Sequence, residues 1–326
     1  MIILFTSIPD VYAAGNFMKK SSIKTIAIIG AGTIGSSWAA LFLAYGYHVV
    51  VSDPSPDAEA TTRRMIDSAW LTLQELGKVQ NEANRNNLRF EPELEKALVD
   101  VDFVQENAPE REDFKIDLFA RMDAILPEHV IISSSSSGLL VSRMQSRCTY
   151  PQRCVLGHPF NPPHVIPLVE VVGGEHTSED CIQRTMDFYR EVGKHPIRLN
   201  REIRGHIANR LQAAVWREVM HLVNENIASV QDIDAAMSKG PGLRWALLGP
   251  QAVFDLAGGN AGLAHLIDHL QPAMESWMDD LGNPRMTPEL RERMIEGALQ
   301  ARNGKSIEEL QRYRDDRLVE ILKSIS

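Results

Sequence analysis

The chain is short of cysteine, of basic charge and of long apolar runs, and each shortage removes a class of protein. Cysteine occurs only at Cys148, Cys154 and Cys181 in 326 residues. That odd number without a CxxC pair argues against a disulfide framework or structural zinc, and fits a reducing cytoplasm. Lysine and arginine number 34 against 43 acidic residues, a formal charge of −9. An acidic balance argues against nucleic acid or an anionic membrane as partner. No run reaches the roughly 18–20 apolar residues that span a bilayer. The apolar opening MIILFTSIPDVYAA has no basic residues before it and is broken by Pro9 and Asp10, so it is a poor signal peptide. Residues 1–22 are expected to be an extension ahead of the first strand.

The rest of the composition is that of a globular protein, with 44% hydrophobic and 24% charged residues. Its length suggests two domains. The most informative stretch is KTIAIIGAGTIGSSWAALFLAYGYHVVVSDP. Thr25 to Ile29 reads as a strand buried on both faces. A glycine turn follows, then a helix over Ser36 to Tyr45, then a strand over Tyr47 to Ser52 that ends at Asp53. Gly30 permits a tight turn, Gly32 lets backbone approach a pyrophosphate, and Gly35 lets the helix pack closely on the strand. With Thr33 and Ile34 at the helix N-terminus, these residues are expected to bind a dinucleotide. Asp53 would accept hydrogen bonds from ribose hydroxyls and repel a 2′-phosphate, which favours NAD over NADP.

Further on, apolar runs alternate with helical stretches at 57–77, 91–98 and Arg111 to Met122. Strands are expected in VDFVQENAPE, HVIISSSSSG, RCVLGHPFN and LVEVVGG. The alternation predicts an α/β fold, a Rossmann-type, doubly wound parallel sheet over residues 23–200. From residue 201 to 326 the chain reads as helical. Ile207, Leu211, Ala214, Val215, Val219, Leu222 and Val223 form an apolar stripe. Such a domain often hides an apolar face in a second copy, so a homodimer through it is expected.

The run Ser133 to Ser137 has the composition of a linker but follows a predicted strand. Ligands of open α/β sheets bind beyond the carboxyl ends of strands, so the run is expected to line the nicotinamide pocket. GHPFNPPHVIPLVEVVGG then places His158 at one strand end and Glu170 near another. A histidine–glutamate pair moves protons: the imidazole takes the proton of an alcohol and the carboxylate orients it. His164 has no helical metal spacing from His158, and no metal is expected.

The motifs GAGTIG, ENAPEREDFK, SSSSSGL, GHPFNPPHVIPLVEVVGG and GHIANRLQ together resemble those of the 3-hydroxyacyl-CoA dehydrogenase superfamily, over nearly the whole chain from Lys24. The resemblance implies a Rossmann-type NAD domain followed by a helical dimerisation domain. It implies that Ser137 hydrogen-bonds the substrate oxygen, that His158 is the catalytic base with Glu170 as partner, and that Asn209 helps bind the reacting oxygen. It places Glu110 and Lys115 beside the nicotinamide end of the cofactor, and Ser135 with them.

Within the superfamily, acyl-CoA members carry a basic helical insert after the second strand, whereas Met65 to Gly77 has no lysine or arginine here. HPFNPP, GPGLRW and LAGGNAG are similar instead to the branch acting on small free hydroxy acids, which includes L-carnitine 3-dehydrogenase, L-gulonate 3-dehydrogenase and the lens protein lambda-crystallin. That resemblance implies oxidation of L-carnitine to 3-dehydrocarnitine. L-gulonate, a 3-hydroxyacyl-CoA such as 3-hydroxybutyryl-CoA, and a non-catalytic NAD-binding role are the alternatives. Carnitine has a carboxylate, for which Arg244 is a candidate, and a quaternary ammonium, for which Trp245 and Phe254 are candidate aromatic faces.

Overall fold

The computed structural model describes residues 21–325. Residues 1–20 of the expected extension lie outside them. The chain divides into two compact units between Arg204 and Gly205.

Among the described residues of the first unit, eight strands form one sheet: β1 Thr25–Ile29, β2 His48–Ser52, β3 Leu88–Phe90, β4 Phe103–Glu106, β5 Ile131–Ser134, β6 Cys154–Pro159, β7 Leu168–Gly173 and β8 His195–Arg198. Their spatial order is β3-β2-β1-β4-β5-β6-β7-β8. The helices are α1 Thr33–Ala44, α2 Ala58–Glu75, α3 Leu94–Ala97, α4 Glu112–Ile125, α5 Val141–Met144 and α6 Glu179–Glu191. The apolar strands explain the layering. Alternate residues of β1 enter two different cores: Ile26 and Ile28 join Trp38, Phe42 and Phe188 on one face, while Ala27 and Ile29 join Phe119 and Met122 on the other. A sheet covered on both sides is what a continuous apolar strand requires.

The sheet departs from the expected parallel arrangement at one place. Strands β1 to β6 are parallel to their neighbours, but β6 and β7 pair antiparallel, and β8 runs parallel to β7. The reason is the length of the connection. Residues 160–167 separate β6 from β7, too few for the crossover of a dozen or more residues that parallel strands need.

The second unit contains α7 Ala208–Asn224, α8 Val230–Lys239, α9 Pro241–Trp245, α10 Pro250–Ala257, α11 Gly262–Asp280, α12 Pro288–Arg302 and α13 Ile307–Ile325. Hydroxyl caps start three of them: Ser229 accepts from the N–H of Asp232 ahead of α8, Thr287 from that of Leu290 ahead of α12, and Ser306 from that of Glu309 ahead of α13. Its buried cluster is Val223, Ile233, Leu290 and Met294, with Val219 and Leu222 packed against it. The predicted stripe of α7 is therefore covered only toward its C-terminal end. Leu211 and Val215 are exposed.

Candidate active site

The antiparallel hairpin brings the imidazole and the carboxylate together. His158 on β6 and Glu170 on β7 are register partners, so their side chains leave the same face of the sheet. His158 Nδ1 lies 2.9 Å from Glu170 Oε2. Both groups are buried. A carboxylate facing Nδ1 can accept from an Nδ1–H, and that tautomer places the basic lone pair of a neutral imidazole on Nε2. The Phe160 ring packs edge-on against the imidazole, 5.0 Å between centroids. Behind His158, a methyl group on Gly157 would sit 2.0 Å from the Tyr189 hydroxyl, so the strand can approach α6 only as glycine.

The serine run is held residue by residue. Ser133 Oγ meets the Tyr189 hydroxyl at 2.8 Å, and Ser134 Oγ donates to Glu106 Oε2 at 2.5 Å. Ser135 Oγ accepts from Trp38 Nε1 and Gln105 Nε2 and donates to Asn107 Oδ1 at 2.7 Å. Its donor and both lone pairs are thus engaged, and it holds the Asn107 side chain. Glu110 Oε1 accepts from Ser136 Oγ at 2.6 Å and from the N–H groups of Ser137 and Gly138 at 2.9 and 3.0 Å. Ser137 itself is exposed. Lys115 is buried, with Nζ 2.6 Å from Glu106 Oε1 and 3.8 Å from Glu110 Oε2. One ammonium thereby links the two carboxylates that organise the serine loop. A buried ion pair is tolerated only when its remaining hydrogen-bonding capacity is filled; here the Ala108 N–H and Ser134 Oγ complete Glu106.

The glycine turn has the form a dinucleotide needs. Gly30 has φ +93°, and a Cβ there would lie 2.7 Å from the Asn107 carbonyl oxygen. A Cβ on Gly35 would lie 1.9 Å from the Gly30 carbonyl. At Gly32 nothing lies within 4 Å of the Cβ position, which leaves backbone open to a ligand. Helix α1, begun by Thr33 and Ile34, has no side-chain cap and no acidic residue in its first turn, so its leading N–H groups suit a pyrophosphate. Asp53 follows β2, and its carboxylate accepts from the N–H groups of Ala31 and Ser55 at 2.8 and 2.9 Å. This donor set fits NAD.

The remaining candidates lie on other elements. His164 bonds Ser37 Oγ through Nδ1 at 2.7 Å. Among the described residues no group of three or more His, Cys, Asp or Glu side chains could hold a metal ion. In the second unit, Asn209 lies half-buried in the first turn of α7. Arg244 lines a recess with Leu247, Leu248, Val253, Leu256 and Ala257. Trp245 is 37% exposed and Phe254 half-buried, and neither lines that recess. Sequence reasoning missed Gln105, Glu106, Asn107 and Tyr189. The first two had a signal: polar residues in the last two positions of a strand that otherwise reads as core.

A glycine cradle for NAD at the carboxyl edge of a parallel sheet, beside a buried imidazole–carboxylate pair, defines an NAD-dependent dehydrogenase acting on an alcohol. The 3-hydroxyacyl-CoA dehydrogenase NAD-binding domain matches residues 25–203, and the C-terminal domain of the same family matches residues 205–309. The chain belongs to the 3-hydroxyacyl-CoA dehydrogenase family. It is 48% identical to an L-carnitine dehydrogenase of Nocardiopsis dassonvillei, over 93% of this chain and 92% of that one. It is 44% identical to an L-carnitine dehydrogenase of Pseudomonas aeruginosa, over 94% and 95%. Among solved structures it resembles an NAD+-dependent dismutase, 5-formyl-3-hydroxy-2-methylpyridine 4-carboxylic acid 5-dehydrogenase, at 30% identity and a TM-score of 0.82, over 93% of this chain and 98% of that one. No helix among the described residues is long and apolar enough to cross a membrane.

Proposed function

We propose that the protein oxidises the 3-hydroxyl of L-carnitine to the ketone of 3-dehydrocarnitine. The observation that carries the chemistry is the 2.9 Å contact between His158 Nδ1 and Glu170. It leaves Nε2 to take the hydroxyl proton as the C3 hydride departs. Glu170 then stabilises the imidazolium that forms. NAD, when bound, supplies the hydride acceptor. Gly30, Gly32, Thr33, Ile34 and Gly35 take its pyrophosphate, and Asp53 its ribose. Glu110, Lys115 and Ser135 shape the nicotinamide end, acting through the serine loop and Asn107. Ser137 is assigned to the reacting oxygen. Asn209, from the helical unit, is assigned to substrate binding on family resemblance.

Carnitine as substrate is supported by the names of the relatives. Arg244 is proposed for its carboxylate, with Trp245 and Phe254 as candidate faces for the ammonium. The recess at Arg244 is lined by neither aromatic ring; that takes support from an aromatic face for the ammonium and keeps a second reading: the same chemistry on another small hydroxy acid such as L-gulonate. Exposed apolar side chains on α7, Leu211, Val215 and Trp216, support a homodimer through the helical unit. Three free thiols support a reducing cytoplasm.

The deciding experiment follows NADH formation with L-carnitine, D-carnitine, L-gulonate, L-3-hydroxybutyrate and 3-hydroxybutyryl-CoA. Turnover of L-carnitine above the others is expected. Turnover confined to another compound would replace the substrate and keep the base.

A further inference from the structure

The connection between β6 and β7 is short of hydrogen-bond donors. Residues Asn161 to Pro167 include three prolines in seven positions, and proline brings a carbonyl without an N–H. Two of its carbonyls are met by one side chain. Lys194 Nζ donates to the Pro163 oxygen at 2.6 Å and to the Ile166 oxygen. A third, that of Pro167, accepts from the His195 N–H at 2.8 Å.

Lys194 is an expensive residue at this position. It is 7% exposed, and burial together with the charge of Lys78 holds its pKa well below the ordinary lysine range. Its ammonium lies 5.1 Å from the centroid of the Trp38 ring, an attractive arrangement for a cation. An apolar side chain would avoid the cost of burying charge. What lysine adds is a set of donors for carbonyls in a segment with few N–H groups.

Those carbonyls belong to the segment whose two ends are the strands of His158 and Glu170. The same segment is fastened to α1 at His164, whose N–H donates to Ser37 Oγ at 3.0 Å. It is thus held from two sides, by α1 and by the turn that leads into β8.

We infer that Lys194 is a positioning residue for the reaction: by gathering the carbonyls of Pro163 and Ile166 it fixes the β6–β7 connection, and through it the approach of Glu170 to His158. This rests on the reading of His158 as base. A misplacement of about 1 Å in such a pair costs about 100-fold in rate.

The test compares Lys194→Met, which keeps length and loses every donor, with Lys194→Gln, which keeps amide donors. NADH titration counts competent cofactor sites, and kcat with L-carnitine is expressed per site. For Lys194→Met, kcat per site is expected to fall about 100-fold while KM for NAD stays within about twofold. Lys194→Gln is expected to recover part of the loss. Unchanged kcat per site in Lys194→Met would overturn the assignment, because activity would then be lost only as sites are lost. If Lys194→Met does not fold, Lys194→Gln decides by the same ratio. Failure of both to fold would assign the residue to folding alone. Wild-type enzyme and His158→Ala are measured in parallel. Where the wild type turns over another compound of the panel, kcat is measured with that compound; a wild type silent on the whole panel, or an active His158→Ala, would end the base reading whatever Lys194 does.

Discussion

Trp38, Phe42, Phe103, Phe119, Phe188 and Tyr189 are all fully buried in the first unit, whereas Trp216 and Trp277 in the second are 54% and 61% exposed. The sheet unit closes two cores on its own two faces. The helical unit closes one small cluster around Val223, Ile233, Leu290 and Met294. It leaves Leu211, Trp216, Leu243, Leu256, Trp277 and Leu299 among its exposed side chains. A chain does not usually leave this much apolar surface in water without a use for it. The first unit holds the glycine cradle and the His158–Glu170 pair on buried strands, while the second leaves large apolar side chains exposed.

The sharpest way to break this division is to remove the base. His158→Ala should lower kcat by about 100- to 10,000-fold, the range for a general base, and leave NADH affinity within about twofold because the cradle is a separate part of the same unit. A large loss of NADH binding would show that hairpin and cradle are one element. Next in size is the coverage of the helical unit. Sedimentation equilibrium should find the wild type as a dimer. The pair Leu211→Asp and Trp216→Asp should shift it toward the monomer, since a buried tryptophan at an interface is worth about 2 kcal/mol or more. A monomeric wild type would reverse the reading of α7.

Legibility in the sequence follows the same line. The first βαβ unit could be read almost to the residue, because glycine spacing, apolar strands and Asp53 each have a local cause. The His158–Glu170 pair was legible as chemistry, but its geometry was not, since it depends on β7 running antiparallel. The eight residues between the strands carried that information. They were too few for a crossover, but a reading of alternating elements treats every connection alike. The network of Gln105, Glu106, Ser135 and Tyr189 was hidden for another reason. It joins residues as far as 84 positions apart, and only tertiary structure brings them together. The α7 stripe was legible as apolar, but periodicity does not say what covers it.

Asp53 offers a smaller and more local test. Its carboxylate already accepts two backbone N–H groups, so Asp53→Ala removes both a ribose acceptor and a brace of the glycine turn. KM for NAD should rise about tenfold, the lower end for a lost charge-assisted hydrogen bond, with kcat at saturation nearly kept. Strict use of NADP by the unmutated enzyme would overturn the role.

The least expected effect concerns the thiols, all of which lie in the first unit. Burial pushes the Cys181 thiol up to about 12. The Cys154 thiol is also raised, by its hydrogen bond with Cys148 and by burial. In the unfolded chain a thiol ionises near about 8.5. A raised native value means stability is complete below that pH and declines as pH rises toward about 12. Lys194 acts in the opposite sense, because the cost of burying its charge shrinks as pH rises. The net alkaline slope therefore depends on which burial dominates. Cys181→Ala should flatten the loss of stability seen by urea denaturation between about pH 8.5 and 11. If the slope is unchanged in this variant, Cys181 ionisation is not what limits the sheet unit in alkali, and the buried tyrosines become the groups to test.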